Sequence, residues 1–123
     1  MEIKFTNKTA LVTGSDRNTG AIIARSLAAS GARVILHSNG PDTGAAEAAE
    51  VDAEQCFKVT ADIATETGCD SVLEQLSAQQ LSVDILVNNY GTASYATWAS
   101  ANTTDWLDMY QKNVLSAARL AQG

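Results

Sequence analysis

The 123 residues suffice for one domain with one core and not for two. With 46% hydrophobic and 18% charged residues, the balance is that of a soluble globular chain rather than a disordered one. Eight Lys and Arg against fourteen Asp and Glu give a net charge of −6 with no basic stripe, which argues against a nucleic-acid partner.

The apolar run from Thr9 to Thr13 predicts a first strand, and Thr13-Gly14-Ser15-Asp16-Arg17-Asn18-Thr19-Gly20 joins it to a helix over Thr19 to Ser30. A glycine-bearing turn between a buried strand and a helix aims unpaired backbone N–H groups and the positive end of the helix dipole at one spot. An anion, typically a pyrophosphate, belongs there. Ile23, Leu27 and Ser30 mark one helix face, and Gly31 fits the C′ position where positive φ is needed. A second strand follows from Arg33 to His37, then a turn over Ser38-Asn39-Gly40-Pro41-Asp42 and a short solvated helix over Ala45 to Glu50. Gln55 to Thr60 reads as the third strand, and Thr67 to Gln79 as a helix with Cys69, Val72, Leu73 and Leu76 at i, i+3, i+4 and i+7. Val83 to Val87 forms the fourth strand, and a long helix runs from Asn102 to Ala121.

Strands that are apolar throughout and separated by helices imply a parallel sheet covered on both faces, a doubly wound α/β arrangement in a single domain. Neither a repeat nor a linker interrupts it. No segment approaches the roughly 20 apolar residues of a membrane span, and Met1 to Lys8 lacks the apolar stretch of a secretory signal, so a cytoplasmic location without membrane contact is expected. Cys56 and Cys69 form no Cys-x-x-Cys pair and read as small packed hydrophobes rather than metal ligands or a disulfide. His37 is the lone histidine, which excludes any mechanism needing two.

The turn does not match G-x-G-x-x-G. It resembles the T-G-x-x-x-G-x-G turn of the short-chain dehydrogenase/reductase family, with Asn18 in place of the middle glycine. Asparagine tolerates a left-handed backbone, so the turn can survive the exchange. Three further motifs carry the same resemblance in the same order. Asp62-Ile63 stands where the family places an aspartate against the adenine amine; a turn or N-cap role is the plainer alternative. Asp84-Ile85-Leu86-Val87-Asn88-Asn89-Tyr90-Gly91 resembles D-x-L-V-N-N-A-G, which stabilises the central sheet and lines the cofactor's ribose. Tyr90 departs from the usual alanine, and its ring must turn away from the nucleotide or shrink the pocket.

Trp106 and Asn113 resemble the family's W-x-x-x-x-x-x-N helix, on a stripe with Met109 or Tyr110, Ala117 and Leu120. An amide on an apolar face calls for a buried partner. In the family this asparagine interrupts helical hydrogen bonding, and its carbonyl supports a proton relay. The resemblance implies a Rossmann-like sheet in the order 3-2-1-4 and an NAD(P)-dependent oxidoreductase that moves hydride between a nicotinamide cofactor and a carbonyl or alcohol. It places the cofactor against Thr13, Gly14, Asp16, Arg17, Asn18, Thr19, Gly20, Ser38, Asp62, Ile63, Asn89, Tyr90 and Gly91. No metal is implied, and relatives commonly associate through the helix corresponding to 102–121.

Leu36-His37-Ser38-Asn39 offers no carboxylate for the ribose hydroxyls of NAD, and Arg17 sits where NADP-preferring relatives reach the 2′-phosphate. Asp16 opposes this by repelling a phosphate beside it. The balance favours NADP, with NAD as the alternative. Hydride transfer also needs an acid or base near the oxygen. The family supplies Tyr-x-x-x-Lys and an earlier serine, but Tyr90, Tyr95 and Tyr110 are followed four residues later by Ser94, Ala99 and Val114. The chain is therefore expected to hold the cofactor-binding part of the fold, cut before the fifth strand. Alternatively it is a noncatalytic nucleotide-binding module or partner subunit. Ser94, Tyr95 and Trp98, just past Gly91, read first as an exposed loop whose two aromatics anchor it to the sheet and alternatively as a border of the substrate pocket, and the substrate itself is not encoded in these residues.

Overall fold

Burial on both faces decides the sheet. The structure, a computed structural model, describes residues 4–16, 18–40, 51–91, 100 and 102–123. Strands β1 (Thr9–Val12), β2 (Arg33–Ser38), β3 (Cys56–Thr60) and β4 (Ile85–Val87) form one parallel sheet in the order β3-β2-β1-β4, with Leu11 beside both Ile35 and Leu86. All four residues of β1 are buried, as are the last five of β2, so these two strands are the centre. Leu11, Ile35 and Val59 point to one side, where they meet Cys69, Val72 and Leu76 of α2 (Glu66–Ala78) and Leu120 of α4 (Ser116–Gln122). Val12, Val34 and Leu36 point to the other, against Ala21 and Ala24 of α1 (Asn18–Ala29). Continuous apolar runs are the consequence of helices on both faces.

Local chemistry sets the element ends. Helix α1 stops where Gly31 takes φ 95°, with Gly31 N–H donating to Ala28 and Ala32 N–H to Leu27 at 3.0 and 3.1 Å. This is the paired bonding of a Schellman ending, which needs the left-handed residue. Thr65 caps α2 by accepting from Gly68 N–H at 2.9 Å. Asn102 and Asp105 form a reciprocal capping box at the start of α3 (Thr103–Tyr110). At the opposite end of the sheet, Thr9 N–H donates to Asp84 Oδ2, and Asp84 N–H to the Thr9 carbonyl, both at 2.9 Å. The aspartate that opens the fourth-strand motif thus fastens β4 to the start of β1.

The expected elements recur with ends displaced by a residue or two. Strand β4 is shorter than the predicted Val83 to Val87, because Asp84 uses its side chain and amide to clasp Thr9. The long helix is present but contains a π turn over Gln111–Leu115, between α3 and α4. The predicted helix over Ala45 to Glu50 lies outside the described residues. Both cysteines are free, Cys69 fully buried and Cys56 half-buried in the α1 layer. Strand β4 is a sheet edge. Beside it an open groove of about 590 Å³ is lined by Leu73, Leu76, Leu81, Leu86 and Leu120. Among the described residues no helix is long and apolar enough to cross a membrane.

Ile35 has no exposed surface and lies at the middle of the central strand pair. Ile35→Ala is expected to destabilise the fold by about 2–5 kcal/mol through lost burial and a residual cavity, as read from a urea denaturation midpoint.

Candidate functional site

The carboxyl ends of β1 and β4 lie side by side, and there the chain order reverses: β1 leads outward to β2 and β3 on one flank, while β4 returns on the other. Open α/β sheets form their ligand crevice at such a switch point. Thr13, buried, directs the local geometry. Its hydroxyl accepts from the N–H groups of Asn89 and Tyr90 at 3.1 and 3.0 Å and donates to the Val87 carbonyl at 3.4 Å. The Asn89 side chain donates back to the Gly14 carbonyl at 3.3 Å. The turn after β1 and the segment after β4 are thereby held as one unit.

Backbone conformation within the turn matches its residues. Gly14 has φ 63° and Asn18 φ 54°, so the asparagine does occupy the left-handed conformation. Gly20 is required for another reason: a Cβ there would run into the Gly14 carbonyl and stand 2.7 Å from Asn89 Nδ2. Helix α1 can begin against the turn only because that atom is missing. Two turn amides are already engaged, Gly14 N–H by His37 Nδ1 at 2.9 Å and Ser15 N–H by the His37 carbonyl at 3.0 Å. Among the described residues that follow, the first-turn amides of α1 at Asn18, Thr19 and Gly20 have no acceptor within their own helix, as at any helix start. Arg17 lies outside the described residues. Asp16, half-buried, follows Ser15 on the same turn.

The rim beside β2 and β3 is a separate network. Ser38 is buried and donates to the Gly40 carbonyl at 2.9 Å. Asn39 bridges to the third strand, donating to Asp62 Oδ1 at 3.1 Å and accepting from Ile63 N–H at 3.3 Å. Asp62 Oδ1 also accepts from Ala64 N–H at 3.0 Å, so the turn role weighed for Asp62 is realised. Its carboxylate is exposed at the rim, whereas Ile63 is buried beneath it. Gly68 supports this corner, since a Cβ on it would overlap the Asp62 carbonyl.

On the other side Tyr90 is half-buried and packs against the core cluster that holds Leu11 and Ile35. Gly91 approaches Asn113, whose Oδ1 would stand 3.0 Å from a Cβ there. Asn113 is the middle residue of the π turn, in keeping with the interrupted helical bonding that the resemblance implies. The expectation of an apolar stripe with a buried amide is not met. Trp106 and Tyr110 are 59% and 52% exposed, Asn113 is exposed, and its amide donates to Met109 O of its own helix at 3.0 Å. No residue of α3 is buried, whereas Ser116 and Leu120 of α4, beyond the π turn, are. The Cys69 thiol is pushed up by burial, in keeping with a packed side chain rather than a nucleophile. Among the described residues no cluster of His, Cys, Asp and Glu could hold a metal ion.

Sequence reasoning missed His37, Asn39 and Thr65. A histidine inside an otherwise apolar strand was the available signal, because both ring nitrogens then need partners. Thr13→Val keeps the shape but leaves the Tyr90 amide without its acceptor, whereas Asn89 N–H retains the Val87 carbonyl at 3.0 Å. We expect about 1–3 kcal/mol of destabilisation by chemical denaturation, with Thr13→Ser largely restoring the wild-type midpoint.

Comparison with known proteins agrees with this geometry. Residues 8–123 match the short chain dehydrogenase family. The chain is 31% identical over 99% of its length to the uncharacterized oxidoreductase YvaG of Bacillus subtilis, covering 46% of that protein. It is 32% identical over 98% of its length to the 3-oxoacyl-[acyl-carrier-protein] reductase FabG of Escherichia coli, covering 49% of it. The crystal structure of L-sorbose reductase from Gluconobacter frateurii, complexed with NADPH and L-sorbose, superimposes with a TM-score of 0.85 at 32% identity, covering all of this chain and 48% of that one. The chain thus spans about half the length of the relatives it matches. The switch-point crevice, the turn between β1 and α1, and the match over nearly every residue establish that the chain belongs to the short chain dehydrogenase family.

Proposed function

We propose that the chain is the cofactor-binding part of an NADP-dependent oxidoreductase acting on a carbonyl or alcohol of a small molecule, with NAD as the alternative cofactor. The observation that carries this reading is the Thr13 to Gly20 turn, held to the end of β4 by Thr13 and Asn89 at the point where strand order reverses. The lack of a Cβ at Gly20, which a side chain would drive into Gly14, fits a turn built to bring amides close to a pyrophosphate. Similarity to an NADPH-bound reductase adds support.

In this reading Gly14 and Asn18 shape the turn, Thr19 and Gly20 offer amides to the pyrophosphate, and Arg17 pairs with the 2′-phosphate against the opposing charge of Asp16. Ser38 borders the adenosine ribose. Asp62, oriented by Ala64 N–H and Asn39, accepts from the adenine amine, with Ile63 fixed beneath. Asn89, Tyr90 and Gly91 line the second ribose, and Asn113 supports proton relay from the π turn. A bound nicotinamide dinucleotide supplies the hydride donor or acceptor. These 123 residues contain no Tyr-x-x-x-Lys, so by themselves they are expected to bind without turnover.

The exposed face of Trp106, Leu107, Tyr110 and Val114 supports self-association through the 102–121 helix. Trp106→Ala is expected to lower the mass in sedimentation, and an unchanged mass removes this assignment. Arg17→Ala is expected to weaken NADPH about tenfold or more in a fluorescence titration while changing NADH little, the loss of one charge-assisted phosphate contact. Equal losses for both nucleotides overturn the NADP preference, and no signal from either overturns the cofactor reading.

A further inference from the structure

The one histidine sits in β2 with no exposed surface, beneath the turn rather than in the crevice. Its Nδ1 lies 2.9 Å from Gly14 N, and a backbone N–H can only donate, so Nδ1 is the acceptor. The ring proton is therefore on Nε2, which donates to the Ala61 carbonyl at 2.9 Å. Around the same residue, His37 N–H donates to Ser15 Oγ at 2.9 Å and the His37 carbonyl accepts from Ser15 N–H at 3.0 Å. One residue thus joins three segments: the turn after β1, the end of β2, and the tail of β3 immediately before Asp62 and Ile63.

We propose that His37 is a positioning residue for the dinucleotide: its neutral ring sets Gly14 and Ala61 in one arrangement, and nucleotide affinity falls when the ring takes up a second proton. The inference rests on the cofactor reading of the turn. A proton on Nδ1 would face the Gly14 N–H donor to donor, so the bond is lost and the glycine that leads into the α1 amides must move. The Ala61 bond survives protonation, so the disturbance falls on the turn side. Asp16 on the turn and Asp62 on the β3 tail face the ring and favour its charged form. Burial outweighs them and holds the imidazole below its ordinary value of 6.5. With the folded value lowered, the contribution to stability is complete above pH 6.5 and is lost as pH falls through the lowered value, because the unfolded ring binds its proton first.

The test is the NADP⁺ affinity of the 123-residue chain by calorimetry between about pH 5 and 8. Three proteins are compared: wild type, His37→Asn and His37→Gln. The asparagine Oδ1 takes the place of Nδ1 and does not titrate; the glutamine keeps a polar group toward Ala61 but leaves Gly14 N–H without its acceptor. Wild type is expected to weaken about tenfold on acidification relative to His37→Asn, the factor for one buried hydrogen bond. Referencing to His37→Asn cancels any titration of the nucleotide itself. His37→Gln is expected to bind about tenfold more weakly at every pH. Superimposable profiles for wild type and His37→Asn, or tighter binding at acid pH in wild type alone, overturn this inference while leaving the cofactor reading intact. No binding by wild type or His37→Asn at any pH overturns the cofactor reading, and this inference with it.

Discussion

The arrangement at the carboxyl edge of the sheet depends on the hydrogen bonds made by the three residues that follow β1, Thr13, Gly14 and Ser15. Thr13 accepts two amides from the segment after β4, and Gly14 donates to His37 on β2. These bonds span three strands, and they sit where the strand order reverses between β1 and β4. Removing that buried acceptor would leave Tyr90 N–H to bear its full desolvation penalty, while Asn89 N–H keeps the Val87 carbonyl.

This coupling runs in both directions. Helix α1 approaches the turn closely through Gly20, while Ala21 and Ala24, the small residues that follow, let it lie close to Val12, Val34 and Leu36. Ligand-facing amides and helix packing are therefore one constraint. On the far side of the sheet, Asp62 and Ile63 are fixed from below by Gly68 and from the side by Asn39. Each wall of the crevice is thus anchored by a contact invisible from the crevice itself.

Much of this was legible in the sequence. Continuous apolar strands announced a parallel sheet, Gly31 announced the end of α1, and the turn motif located the crevice. Asn18 was correctly read as able to take positive φ. What could not be read were long-range pairings: His37 meets Gly14 from 23 residues away, and Thr13 meets Tyr90 from 77. Local pattern contains no trace of such partners. The 102–121 helix differs for another reason: no residue of α3 is buried, so the apolar period through Trp106 has nothing packed against it, and the π turn at Gln111–Leu115 then breaks the 3.6-residue repeat.

The half-buried residues of β4 stand beside the leucine-lined groove, and among the described residues this strand has no neighbour beyond β1. Such a flank is adhesive toward any extended chain, including that of a neighbouring molecule. The principal long-range force opposing that encounter is mutual repulsion from the net charge of −6. Added salt weakens that repulsion without weakening the apolar attraction, so colloidal behaviour rather than unfolding sets the conditions under which these residues stay dispersed.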